Sequence, residues 1–145
     1  MKLSDSDKEV FEPKLWYITE LCYTGVELPP REHFKRCVRH GDIFISGRVD
    51  EPFSSYALVN SSGDNCPLLR SIATLPTHRD ERHATTLLLE IEEFYRAQGR
   101  SAIILHCKVD NPAQILYFKA GYRVTAVLRG YYKPEGDGLE MRKAL

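Results

Sequence analysis

The stretch Ser71 to Gly99, SIATLPTHRDERHATTLLLEIEEFYRAQG, limits what this chain can fold into more than any other. Ser71 to Leu75 reads as a strand, and Pro76 ends it in a turn. A basic segment then runs into a helix in which Ala84, Leu87, Leu88, Ile91, Phe94 and Tyr95 recur at helical spacing, with Gly99 as its stop. Ala102 to Lys108 (AIILHCK) follows as a short apolar run suited to a buried strand parallel to the first. A strand, a crossover helix and a parallel strand must share a sheet, with the helix packed on one face. The turn into the helix offers unpaired backbone N–H groups, the helix dipole adds partial positive charge, and Arg79 and Arg82 add full charges. This combination suits a phosphorylated ligand; the alternative is a helix with a solvated basic start.

The remaining elements follow from local signals. Met1 to Asp7 is polar and expected to fray. Pro13 suits the first turn of a helix carrying Leu15, Trp16, Ile18, Leu21 and Cys22 and ending near Gly25. After Pro29 and Pro30, a basic helix from Arg31 to Arg39 has Phe34, Cys37 and Val38 as its apolar side, and Gly41 closes it. Asp42 to Val49 and Phe53 to Asn60 read as a hairpin over an Asp-Glu-Pro turn. Ser61 to Pro67 is a loop, and Leu68 to Leu75 a third strand. Beyond Lys108, Asn111 caps a helix whose first residue is Pro112; Ala113, Leu116, Tyr117 and Ala120 share a face, and Gly121 stops it. Arg123 to Tyr132 and Leu139 to Lys143 flank a Pro-Glu-Gly-Asp-Gly turn as a last hairpin. The expected fold is α/β (α+β), one domain over residues 1–145, with a mixed, mostly antiparallel sheet and helices on both faces.

Composition removes several classes of function. At 145 residues the chain fits one domain with a substantial core. Its 20 basic and 20 acidic residues cancel, which gives no reason to expect a nucleic-acid partner. No run approaches the ~18 apolar residues of a membrane span, and the acidic start MKLSDSDKEVFEP has no secretory apolar core. Cys22, Cys37, Cys66 and Cys107 lie far apart, so their spacing supports neither a metal site nor a disulfide framework. Reduced thiols in the cytoplasm are the expectation.

Two segments carry a family resemblance. LPTHRDERHATTLLLEIEEFYRAQG resembles the acetyl-CoA-binding motif of the GNAT N-acetyltransferases, Arg/Gln-x-x-Gly-x-Gly/Ala after a strand ending in x-Pro. VDNPAQILYFKAGY resembles the family's next motif, with Asn111, Ala113, Tyr117, Gly121 and Tyr122 in register. The resemblance covers roughly Asp42 to Leu145 and implies a sheet splayed between the strand before the loop and the strand after the helix. It implies acetyl-CoA as co-substrate, with pantetheine along Ile72, Ala73 and Thr74. The pyrophosphate would sit on the backbone of Arg79, Asp80, Glu81, Arg82, His83 and Ala84, with Thr85, Asn111 and Tyr117 also on the coenzyme side. The loop departs from the motif: Arg82 stands at the usual glycine, and Asp80 at a second frequent one. Asp80 and Glu81 add negative charge there, which Arg79, Arg82, His78 and His83 offset.

The resemblance also assigns chemistry. Tyr117 occupies the position of the tyrosine that protonates the coenzyme A sulfur; the alternative is a helix tyrosine packed on the core. His106 lies where some protein N-terminal acetyltransferases carry a histidine used as base, and a neutral imidazole can accept an ammonium proton. The alternative is a satisfied strand histidine. By alternation His106 shares a face with Ile104 and Lys108, and Cys107 points the other way as a small core residue. Tyr131 and Tyr132 resemble the tyrosine pair that grips a peptide acceptor, the alternative being a cross-strand aromatic pair, and Glu27 is a candidate for orienting the amine. The implied acceptor is a protein or peptide N-terminal α-amine. A polyamine- or aminoglycoside-like amine, or a GNAT-like binding module without strong catalysis, are the other readings. The expected assembly is a monomer or homodimer, with an auxiliary subunit as a possible source of the family's first strand, which is not evident in residues 1–40.

Overall fold

The computed structural model describes residues 1–63, 66–134 and 136–145, apart from the side chains of Val26 and Asp80. Parts of two expected loops, at 64–65 and 135, lie outside the described residues, as does the Asp80 side chain. Among the described residues, β1 (Asp42–Ile45), β2 (Ser55–Asn60), β3 (Leu68–Thr74), β4 (Ala102–Lys108), β5 (Arg123–Leu128) and β6 (Gly138–Ala144) form one sheet in the order β1-β2-β3-β4-β6-β5. Every neighbouring pair is antiparallel except β3 and β4, the parallel pair expected of the 71–108 unit.

Helices α1 (Asp5–Cys22) and α2 (Arg31–His40) cover one face of the sheet, and α3 (His83–Ala97) and α4 (Gln114–Lys119) the other. The period of two along each strand sorts the core. Ile43, Ile45, Tyr56, Leu58 and Ala73 meet Leu15, Ile18, Phe34 and Val38 on the first face. Phe44, Ala57, Val59, Leu69, Ile103 and Leu105 meet Leu87, Leu88, Ile91 and Tyr95 on the second. Each fully buried large apolar side chain contributes about 1.5–3 kcal/mol.

The N-terminus differs from expectation. Residues 1–7 do not fray: the Leu3 amide donates to the Ile43 carbonyl at 2.8 Å, and the Ile45 amide to the Met1 carbonyl at 2.9 Å. Residues 1–3 thus lie antiparallel beside β1, in the N-terminal region where the sequence shows no first strand. Helix α1 then starts at Asp5 rather than near Pro13, because the Ser4 hydroxyl accepts from the Asp7 amide at 3.2 Å. Pro13 lies inside the helix and removes one backbone donor. Burial of Leu15 and Ile18 on its C-terminal side outweighs that loss, and on the other side the Lys8 ammonium donates to the Gly41 carbonyl at 2.8 Å.

Two boundaries also move. Helix α4 begins at Gln114, since residues 111–113 form a turn in which the Asn111 side-chain oxygen accepts from the Ala113 amide at 2.9 Å. Strand β5 ends at Leu128, so Gly130, Tyr131 and Tyr132 lie in a turn rather than in the hairpin strand. The Asp137 carboxylate holds that turn by accepting from the Gly130 amide at 2.6 Å.

Leu3 is only 1% exposed, which makes the terminal pairing testable. Leu3→Ala should cost about 2–3 kcal/mol in urea unfolding. A frayed terminus would cost nothing.

Candidate active site

The site begins where the parallel pair comes apart. Strands β3 and β4 are in register at Leu68 with Ile104 and at Leu69 with Leu105, and nowhere further along. On its other side, β3 carries a bulge at the same point: Val59 faces Leu69 and Leu58 faces Ser71, so Arg70 is the extra residue. A bulge bends its strand and ends regular pairing. Residues 70–74 therefore diverge from β4, and the gap opens into a cleft of about 470 Å³.

Along the coenzyme side, alternation decides which backbone groups face the gap. Ile72 and Thr74 face it; Ala73, expected to join them, is turned by the ladder toward Tyr56 of β2. The cleft-facing groups already have partners. The Tyr23 hydroxyl donates to the Ile72 carbonyl at 2.9 Å and lies 3.3 Å from the Ile72 amide, from which it accepts. The Thr74 carbonyl accepts from the Cys22 thiol at 3.2 Å and from Arg79 Nε at 3.3 Å. Burial pushes the Tyr23 hydroxyl well above the usual phenol range, and the neighbouring Tyr117 and Tyr56 add to the effect.

Beyond β3, Pro76–Glu81 form a 3-10 turn and Arg82 adopts φ 60°, ψ 24° before α3 begins at His83. Arg82 thus takes the left-handed conformation that favours the missing glycine, at a cost of about 1–2 kcal/mol for a residue with a Cβ. The Glu81 carboxylate lies 2.8 Å from His83 Nε2. Thr74 and residues 79–85 lie beyond the cleft walls, on the continuation of β3 into α3.

Reactive side chains meet in the gap from both faces. Tyr117, on α4, belongs to the α3–α4 core and lines the cleft. Burial raises its hydroxyl pKa, with Cys107, Tyr132 and Glu27 adding to the shift, so the group is protonated and carries one proton at the cleft. Cys107 is buried in the same core, and its thiol is pushed up by burial and then by Glu27. His106 lies on the opposite face. Its Nδ1 is 3.1 Å from the Tyr131 hydroxyl, and its Nε2 is 3.3 Å from Glu140 Oε1. The Tyr131 and Tyr132 rings meet edge to face at 4.9 Å. They pack over Gly138, where a Cβ would lie 3.0 Å from a Tyr132 ring carbon. Glu27, in the turn Gly25–Glu27, lies 3.8 Å from the Lys108 ammonium.

The cleft therefore gathers Ile72, His106, Asn111, Tyr117, Tyr131, Tyr132 and Glu27, all named by the sequence as site residues. Sequence reasoning missed Glu140 and the contact of Tyr23 with β3. Alternation in LEMRKAL places Glu140 and Arg142 on one face, but only the pairing of β4 with β6 brings Glu140 opposite His106.

A parallel strand pair forced open beside a loop and helix start is the architecture of an acyl-CoA-dependent transferase. The chain belongs to the acetyltransferase (GNAT) family, whose sequence profile matches residues 13–122. It is an acetyltransferase that uses acetyl-CoA. No curated protein matches it in sequence. Among solved structures it is similar to the ribosomal-protein-S18-alanine N-acetyltransferase from Escherichia coli, with TM-score 0.80 and 18% identity, covering 99% of this chain and 94% of that one. It is also similar to a GNAT family acetyltransferase from Elizabethkingia anophelis with acetyl-CoA bound, at TM-score 0.71, 15% identity and 81% and 84% coverage. A nourseothricin acetyltransferase aligns at TM-score 0.64 and 22% identity over 72% and 65% of the two chains. Among the described residues, no helix is long and apolar enough to cross a membrane.

Two substitutions test this geometry. Arg82→Gly should raise stability by about 0.5–1 kcal/mol in urea unfolding, because glycine adopts the left-handed turn without strain. Gly138→Ala should displace the tyrosine pair and cost about 1–3 kcal/mol in urea unfolding.

Proposed function

We propose that the chain acetylates the α-amine at the N-terminus of a peptide or protein, by direct transfer from acetyl-CoA in the gap between β3 and β4. The observation that carries this reading is the placement of His106 and Tyr117 on opposite faces of the sheet at one opening. The acceptor enters on the face of α1 and α2, between Tyr131, Tyr132 and the turn at Glu27. His106 takes the proton that the amine loses as it attacks the thioester carbonyl. Tyr117, protonated and lining the cleft, gives its proton to the departing sulfur.

The divergent part of β3 fits pantetheine, since Ile72 presents a backbone donor and acceptor at the cleft and the Thr74 carbonyl an acceptor just beyond it. Seating it requires Tyr23 and Cys22 to release those groups. Residues 79–85 suit the pyrophosphate: the left-handed turn at Arg82 and the first turn of α3 direct N–H groups outward.

The charge of the cleft supports a peptide over a polycationic amine. Among the described residues that line it, Glu27 is the one carboxylate, and Lys108 lies beside it. A polyamine or aminoglycoside would need several carboxylates to balance its charge. The likeness to the ribosomal-protein-S18-alanine N-acetyltransferase supports the same reading. Free thiols at all four cysteines suit the reducing cytoplasm.

Acetyl-CoA at about 100 times its Kd should stabilise the protein by about 2.7 kcal/mol in thermal denaturation. No shift at millimolar ligand would overturn the enzymatic reading in favour of a binding module. Thiol release should be faster with N-terminal peptides than with spermidine or an aminoglycoside, and the reverse order would sink the peptide assignment. Tyr117→Phe should lower kcat about 10²-fold with the acetyl-CoA stabilisation intact, and full activity would remove Tyr117 as the acid.

A further inference from the structure

We infer that Glu140, supported by Thr125, is a positioning residue that sets the tautomer of His106, so that Nδ1, at the cleft, is the proton-accepting nitrogen. The inference rests on the role proposed above for His106 as the base. Strand β6 places Glu140 directly across from His106 of β4, on the same face of the sheet. Glu140 Oε1 lies 3.3 Å from His106 Nε2. An ionised carboxylate only accepts hydrogen bonds, so Nε2 must carry the proton. A neutral ring then has its lone pair on Nδ1, where the Tyr131 hydroxyl donates across 3.1 Å.

Glu140 is held in turn from the outer strand. β5 and β6 shift register between Val124 and Ala126, so Thr125 is an extra, bulged residue. Bulges re-aim side chains, and this one brings the Thr125 hydroxyl to 3.2 Å from Glu140 Oε2. The second carboxylate oxygen thus accepts from Thr125 while the first accepts from His106. Three adjacent strands form a chain of hydrogen bonds from Thr125 through Glu140 and His106 to Tyr131, which lines the cleft.

The chain handles one proton. As the amine nitrogen bonds to the acetyl carbon it gives up a proton to the Tyr131 oxygen, and Tyr131 passes its own hydroxyl proton to Nδ1. Tyr131 is unchanged, the ring becomes an imidazolium with both nitrogens protonated, and the Glu140 carboxylate balances the new charge. In the opposite tautomer Nδ1 already carries a proton and can accept none.

Ring nitrogen–proton correlation spectra of the 15N-labelled protein without acetyl-CoA, at about pH 9 where an imidazole is neutral, test the tautomer directly. The His106 signal is the one that His106→Gln removes. The wild-type ring should carry its proton on Nε2, and Glu140→Ala should shift it toward Nδ1. In that variant kcat should fall about tenfold or more, with KM for acetyl-CoA within about twofold. In a His106→Gln background, Glu140→Ala should cost nothing further, because Glu140 acts through the ring. A wild-type ring protonated on Nδ1, an unchanged kcat in Glu140→Ala, or an added loss in the double variant would each overturn the inference. If Glu140→Ala does not fold, Thr125→Val should give the same changes at smaller amplitude, and an unchanged tautomer and kcat there would overturn it. The tautomer reading needs no turnover, so it stands or falls separately from the acetyltransfer activity.

Discussion

The early parting of β3 from β4 is the constraint on which the rest depends. A parallel pair buried between helix layers would ordinarily stay hydrogen-bonded along its length, because unpaired backbone groups away from water are costly. Here the bulge at Arg70 bends β3 after two matched positions. The groups it strands at Ile72 and Thr74 are taken up by Tyr23, Cys22 and Arg79. A ligand pairing with this edge must exchange those hydrogen-bond partners, so its net gain is smaller than from the same bonds made to an empty edge.

The gap also brings together two titratable groups from different layers. Strand alternation sends His106 to the face of α1 and α2, while Tyr117 is carried by a helix on the other face. Only a break in the sheet lets both line the same cleft.

Elements set by local signals were legible in the sequence: the 71–108 unit by its period and its proline and glycine stops, α2 by its flanking residues, and the Asn111-to-Tyr122 segment by its motif. The family, its coenzyme and the cleft-lining Ile72, His106, Asn111 and Tyr117 came with those segments. What was not legible depended on partners distant in the chain. Residues 1–3 are ordered by the edge of β1, and Pro13 sits inside α1 because the residues on both sides of it are anchored. Ala73 follows Ile72 in the same stretch, and only the β2 ladder sets its direction. Arg82 carries no local sign of its left-handed backbone, which the surrounding loop imposes on it. Glu140 becomes a candidate only once β6 is known to lie beside β4.

The bulge at Thr125 has a second consequence, on the outside of the molecule. Strand β5 is the last in the sheet, and Val124 and Val127 on it are more than half exposed. A regular strand of that kind offers a row of unpaired amides and carbonyls on which another chain can template itself. The extra residue interrupts the row and twists it, so the irregularity that brings Thr125 to Glu140 also makes the outer edge a poor seed for intermolecular sheet growth.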